Sequence, residues 1–179
     1  MNSNQFGFLQ HKSTLSQLLL CYKDWSKSRN NNKPTDVVFL DFCKAFDSVP
    51  HGRLLYKLEQ YGLIGGALLE WFRNFLTNRR QRVAVGGIIY SEWTNVKSGV
   101  PQGTILGPIL FLIYINDLPD GVSSSVKLFA DDTKVYLELS DAEGDASLLQ
   151  SDLYLISDWV KTFYIELNLL KNRLCNHKG

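Results

Sequence analysis

An excess of charge of either sign is missing from this chain: 19 Lys and Arg against 18 Asp and Glu leave a formal net charge of +1 over 179 residues. No global basic field can therefore draw in a polyanion, and any nucleic-acid contact must come from a local basic groove. Cysteine is scarce. Cys21, Cys43 and Cys175 are odd in number, widely spaced and accompanied by only three histidines, which argues against a disulfide framework or a zinc site and fits a reducing compartment. No basic start followed by an apolar stretch and a small-residue cleavage site opens the chain, so the expected location is intracellular, nucleus or cytoplasm. Long apolar runs are also missing. The longest, Ile105 to Ile115, is interrupted by Gly107 and Pro108 and falls well short of the ~20 residues that span a bilayer. It reads as a core helix, and no membrane partner is expected. No repeat, low-complexity tract or linker divides the chain.

What is there suffices for one core: 45% of residues are hydrophobic and 21% charged, an ordinary globular balance. Leu15, Leu18, Leu19, Tyr22 and Trp25 recur at helical spacing from a Ser13 cap to about Arg29, which predicts an amphipathic helix. A second helix should begin at Pro50 and bury Leu54, Leu55, Leu58 and Tyr61 before Gly62. A third, from Ala67 to about Asn78, should bury Leu68, Leu69, Phe72, Phe75 and Leu76. Strands Val83 to Val85 and Ile88 onward should turn at Gly86-Gly87. Ser140 and Glu143 have capping-box spacing, and Leu149, Leu153, Ile156, Val160 and Phe163 continue a helical stripe beyond them.

Three stretches carry the chemistry. Val126 to Phe129 and Thr133 to Leu137 are strand-forming runs flanking Asp131-Asp132, which reads as a hairpin with paired carboxylates at its tip. Such a pair is either a solvated turn or, between buried strands, a place where a cation offsets the repulsion. Asp36 to Leu40 is an apolar strand running into Asp41 and should be central in a sheet. Ser98-Gly99-Val100-Pro101-Gln102-Gly103-Thr104 is a glycine-and-proline loop leading into an apolar helix. The run Arg79-Arg80-Gln81-Arg82, with Lys97, is either a solvated face or a set of phosphate contacts.

Taken in order, FLDFCKAFDSVPH at 39–51, SGVPQGTILGPILFLIYINDL at 98–118 and LFADDT at 128–133 resemble the palm motifs of reverse transcriptases, in particular those of non-LTR (LINE, jockey-like) retrotransposons. Asn4-Gln5-Phe6-Gly7-Phe8-Leu9 is similar to the family's QfGF element, where the chain passes between fingers and palm; as bare sequence it is an aromatic lead-in that packs on the core. The resemblance implies an α+β fold: the palm of a right-hand polymerase with part of the fingers, an antiparallel sheet backed by helices, and no thumb. Residues 1–35 would lead from fingers to palm, and 36–179 would be palm with inserted helices and a hairpin. The implied activity is magnesium-dependent RNA-directed DNA polymerisation on an RNA template, with a DNA primer and deoxynucleoside triphosphates as further partners. The alternative is a catalytically silent remnant that at most binds nucleic acid or another protein.

By the same resemblance, Asp41 and Asp131 would hold two magnesium ions, or manganese in their place, with Asp132 in a lesser metal or charge role and the backbone carbonyl of Phe42 as a further ligand. Phe46 would lie under the sugar and exclude a 2′-hydroxyl; read by itself it is a core phenylalanine. Gly99, Pro101, Gln102 and Gly103 would lie against the nucleotide and template base. Lys44, Asp47 and His51 take structural or hydrogen-bonding roles. Leu167-Asn168-Leu169-Leu170-Lys171 is similar to the fourth palm motif, whose lysine sits near the leaving pyrophosphate. Here Asn172 replaces the usual threonine, and Arg173-Leu174-Cys175-Asn176 departs from the strand expected after it. The family's upstream Arg-Pro-Ile element, its thumb and the endonuclease of full-length elements are not found in these residues, so the chain is expected to be a piece of a longer polymerase.

Overall fold

The computed structural model describes residues 1–62, 65–168 and 173–177. Along the chain run α1 (Thr14–Asn30), β1 (Thr35–Leu40), α2 (Ala45–Ser48), α3 (His51–Gln60), α4 (Gly66–Leu76), β2 (Arg80–Gln81), β3 (Ala84–Val85), β4 (Ile89–Tyr90), β5 (Thr94–Asn95), α5 (Leu106–Tyr114), β6 (Ser125–Phe129), β7 (Asp132–Glu138), α6 (Ala142–Phe163) and β8 (Arg173–His177). They form two compact units, Met1–Ala45 with Ile115–Gly179, and Phe46–Tyr114.

The first unit is built on a four-stranded antiparallel sheet in the order β6-β7-β1-β8. β1 is interior because it is apolar on both faces. On one face Val38 meets Val135, which in turn meets Val126, and Leu40 meets Thr133, which in turn meets Leu128; all six are buried. On the other face Val37 and Tyr136 close on Cys21 of α1, with Trp25 and Phe39 packed against them. α6 lies against β7 and buries Leu149, Ile156 and Val160, as its periodicity predicts.

Four expectations are corrected here. α1 forms with the Ser13 cap, but Leu15, Leu18, Leu19 and Tyr22 are exposed, and the buried positions are Gln17, Cys21 and Ser28. The helix is moored by polar pairs. Lys134 Nζ donates to Gln17 Oε1 at 2.9 Å, Tyr136 Oη to Asp24 Oδ2 at 2.6 Å, and Ser28 Oγ to Glu138 Oε2 at 2.6 Å. Second, Arg173–His177 does form a strand, because the free edge of β1 offers it a ladder from Thr35 to Phe39. Third, the Ser140 and Glu143 capping box is replaced. Asp141 is the N-cap without a side-chain bond, and Asp145 Oδ2 accepts from the Ser140 and Asp141 amides; the side chain of Glu143 lies outside the described residues. Fourth, α4 in the second unit buries Phe72 and Leu76 but leaves Leu68 exposed, with Trp71 stacked on Phe75 at 5.2 Å.

The second unit packs α3 against α4 and α5. α3 starts after Pro50 and buries Leu54, Leu55 and Leu58 as expected, but Tyr61, expected on the same buried face, is exposed because the helix ends at Gln60 before it. Lys57 is buried on the same helix, its Nζ donating to the Tyr114 carbonyl at 2.5 Å. Two short ribbons, β2 with β5 and β3 with β4, carry the basic run, the latter turning through Gly86 and Gly87 at φ of 60° and 70°. Cys21 and Cys43 are free thiols, and no helix among the described residues is long and apolar enough to cross a membrane.

Candidate active site

In the first unit the sheet brings the three carboxylates to one end. Phe129 pairs with Asp132, so Ala130 and Asp131 form a two-residue turn. Leu40 pairs with Thr133, and extending that register by one residue sets Asp41 across from Asp132. Asp41 and Asp131 are half-buried and Asp132 is exposed. The turn is strained, with Ala130 at φ 52°, a left-handed conformation that an L-residue with a Cβ enters only at a cost.

Two elements hold this end of the sheet. The chain just past α6 folds back along the motif: Asn168 donates its backbone N–H to the Asp41 carbonyl at 2.8 Å and its Nδ2 to Asp41 Oδ2 at 3.0 Å. Cys43 N–H donates to the Glu166 carbonyl at 2.7 Å. Phe42 is buried and forms a bridge with Leu167. On the other side, residues 4–6 add to β6 as a parallel edge: Leu128 N–H donates to the Asn4 carbonyl and Phe6 N–H to the Leu128 carbonyl, at 2.9 and 2.8 Å. The lead-in around Gln5 thus runs alongside the strand that leads to the Asp131 turn. Gln5 and Asn168 were both inside quoted motifs, but nothing in their residue types marked the contacts they make.

The donor set here is carboxylate and carbonyl oxygen only, which suits a hard divalent cation. Among the described residues no three His, Cys, Asp or Glu side chains gather into a metal-binding group. Lys171 lies outside the described residues.

In the second unit the Gly-Pro-Gln-Gly loop docks on residues 46–51. Val100 N–H donates to the Phe46 carbonyl and Gly99 N–H to the Val49 carbonyl, both at 2.8 Å. Gln102 Nε2 donates to Asp47 Oδ1 at 2.6 Å, and Ser98 Oγ to the Asp47 carbonyl at 2.8 Å. His51 is buried, with Nε2 2.9 Å from the Gly99 carbonyl oxygen. Gly99 must be glycine: its φ is 92°, and an added Cβ would lie 2.8 Å from the Asp47 Cα and carbonyl oxygen. Pro101 is buried and Gly103 exposed at φ 76°. Thr104 Oγ1 closes the loop, accepting from Gly107 N–H and donating to the Pro101 carbonyl. Phe46 is half-buried and stacks on Phe111 at 4.3 Å.

The basic run divides. Arg79 is half-buried, whereas Arg80, Arg82 and Lys97 are exposed. The Arg82 guanidinium lies 3.9 Å from the Tyr90 ring centroid and 4.6 Å from that of Trp93, and Arg80 lies 5.6 Å from Trp93. The aromatic partners give the ribbon a flat cationic surface.

A family profile, reverse transcriptase (RNA-dependent DNA polymerase), matches residues 1–178. The chain is 32% identical over 178 residues to the probable RNA-directed DNA polymerase from transposon X-element of Drosophila melanogaster, covering 96% of this chain and 19% of that protein. It is 30% identical over 175 residues to the RNA-directed DNA polymerase from mobile element jockey of the same organism, covering 93% of this chain and 19% of that protein. Over 105 residues it is 30% identical to a Pol polyprotein from the type-1 retrotransposable element R2 of Popillia japonica, covering 59% and 17%. The chain thus spans about a fifth of the length of these curated relatives. Among solved structures, apo telomerase of Candida tropicalis truncated from its C-terminal domain superposes with a TM-score of 0.69 at 13% identity, over 98% of this chain and 36% of that one. Telomerase of Candida albicans with an RNA fragment gives 0.67 at 14%, over 97% and 32%. These superpositions carry the fold, an α+β palm, while the profile and the relatives carry the family. Divalent-metal use goes with that family, and the chain belongs to the reverse transcriptases, in the form found in non-LTR retrotransposons.

Proposed function

We propose that this chain is the catalytic core of an RNA-directed DNA polymerase from a non-LTR retrotransposon, extending a DNA primer on an RNA template. The observation that carries the reading is the arrival of Asp41, Asp131 and Asp132 at one end of one sheet, within a chain of this family. In the reaction the primer 3′-oxygen bonds to the α-phosphorus of a deoxynucleoside triphosphate, and the bond to pyrophosphate breaks. Two magnesium ions would lower the pKa of the attacking hydroxyl and neutralise the leaving group. Asp41, Asp131 and the Phe42 carbonyl are the ligands proposed for them, with Asp132 adding charge.

Within the second unit, Phe46 is the proposed sugar gate, held by Phe111, and Gly99, Pro101, Gln102 and Gly103 the proposed nucleotide-facing loop, held by Asp47 and His51. Arg79, Arg80, Arg82 and Lys97 are proposed phosphate contacts. Residues 1–35 and 36–179 are assigned to the fingers-to-palm lead-in and the palm. Further segments of the polymerase, and an endonuclease, complete the proposed machinery.

The alternative is a silent remnant that at most binds nucleic acid or another protein. One experiment separates them. Primer extension on an RNA template is measured with this chain embedded in a polymerase supplying the flanking segments, with Asp131 intact or changed to Asn. The polymerase reading expects magnesium-dependent extension that Asp131→Asn abolishes. Equal extension by both, or none with Asp131 intact, would overturn it.

A further inference from the structure

We infer that Gln5 is a positioning residue for the carboxylate hairpin: it sets the Ala130–Asp131 turn and, through it, the affinity of the carboxylates for a divalent cation. This rests on the reading that Asp41 and Asp131 hold such a cation. Gln5 is 2% exposed, and its Oε1 accepts three backbone N–H groups, from Phe6 at 3.0 Å, Gly7 at 2.8 Å and Ala130 at 2.9 Å. Two of these fix the lead-in to itself. The third crosses to the tip of the hairpin, at the strained residue that precedes Asp131.

Three further observations converge on the same point. Lys12 Nζ donates to the Gln5 carbonyl at 2.7 Å and to the Ser3 carbonyl at 2.6 Å, so the segment bearing Gln5 is itself held. A Cβ on Gly7 would stand 2.5 Å from the Ala130 nitrogen and 3.1 Å from the Phe129 carbonyl carbon, so only glycine lets the lead-in come this close. Gln5 Nε2 is buried without an acceptor. A glutamate would serve the three N–H donors without leaving that donor unmet, but it would bury another negative charge one residue from Asp131. Glutamine accepts the unmet donor and keeps the hairpin's charge where the cation needs it. A left-handed alanine persists only where its surroundings over-determine it, and Gln5 with Gly7 supplies that constraint.

The test is Mn²⁺ binding to the 179-residue chain, followed by water-proton relaxation, with thermal melting as the check on folding and amide exchange at Ala130 as a second readout. Gln5→Met keeps the length of the side chain and removes its acceptor. It should weaken Mn²⁺ by about 10- to 100-fold, the usual effect of losing a group that orients a ligand, and speed exchange at Ala130. Gln5→Glu, which retains the acceptor but adds a buried charge, should restore the protection of the Ala130 amide. Should Gln5→Met fail to fold, Gly7→Ala disturbs the same turn with Gln5 intact and should weaken Mn²⁺ likewise. A folded Gln5→Met or Gly7→Ala chain with unchanged affinity, or an Ala130 amide that exchanges as freely as an exposed turn in the unaltered chain, would overturn the inference. Asp131→Asn keeps that failure distinct: if it still abolishes Mn²⁺ binding, the cation site stands without Gln5, and if it does not, both fall.

Discussion

Asp152 offers a measure of how firmly the sheet that bears the carboxylates is held. It lies on the inward stripe of α6, 2% exposed, where Oδ1 accepts from Ser123 N–H at 3.0 Å and Oδ2 from Ser124 N–H at 2.7 Å. Those two amides lie just before β6, the strand that runs to the Asp131 turn. Asp152→Ala removes two charge-assisted bonds, each worth ~1.5–3 kcal/mol, and strands two donors beside the Ser124 hydroxyl, which is already buried without a partner. The expected loss is ~3–5 kcal/mol, a large share of the ~5–15 kcal/mol that holds a domain together. For a chain of this length that corresponds to a melting point lower by roughly 6–20 °C. Asp152→Asn keeps one acceptor and should lose about half as much. Urea titrations followed by circular dichroism measure both. An Ala variant within ~0.5 kcal/mol of the parent, the range of an ordinary surface change, would refute the reasoning. So would an Asn variant as damaged as the Ala one.

Two further predictions probe the loop and the mooring of α1. Gly99→Ala forces a Cβ onto the Asp47 backbone and should destabilise far more than Gly103→Ala, which also has positive φ but open space within 4 Å and should lose only ~1 kcal/mol; equal losses in thermal melts would show that the loop is not seated on Asp47. The Tyr136 phenol is pushed well above its ordinary range, by burial first and then by its hydrogen bond to Asp24. Folding therefore keeps a proton that the unfolded chain gives up near pH ~10, so this contribution is complete below that pH and fades as the pH rises beyond it. Tyr136→Phe should flatten the alkaline limb of a stability-against-pH curve, and an unchanged slope would count against the Asp24 pair.

The elements were legible in the sequence where burial alone decides them. Val37 to Leu40 reads as a central strand because both faces are apolar, and it is one. Leu149, Ile156 and Val160 read as the inner stripe of a helix, and they are. α1 was legible as a helix but not in its rotation. Its leucines make the stronger apolar stripe, yet Gln17, Asp24 and Ser28 turn inward because β7 presents Lys134, Tyr136 and Glu138 to be paired. Periodicity ranks faces by hydrophobicity and is blind to a polar side chain whose partner lies more than a hundred residues away.

The candidate site divides along the same physical line. Taken alone, paired carboxylates on a hairpin read equally as a solvated turn, and Asp41, Asp131 and Asp132 stood out because their motifs occur in the order of a known family. Gln5 acts on backbone amides, groups that nearly every residue possesses, and Asn168 reaches Asp41 through both the carbonyl and the carboxylate, so neither is given away by its own residue type. Gln5 meets Ala130 across 125 positions of sequence, and Asn168 meets Asp41 across 127. Such contacts become visible only when register is known, because register decides which amide faces which side chain. The groups that could bind a ligand are therefore readable from composition and order. Those that hold them have to be read from the folded sheet, where the lead-in before α1, legible only as a fingers-to-palm segment or a packing element, reaches the strained turn at Ala130.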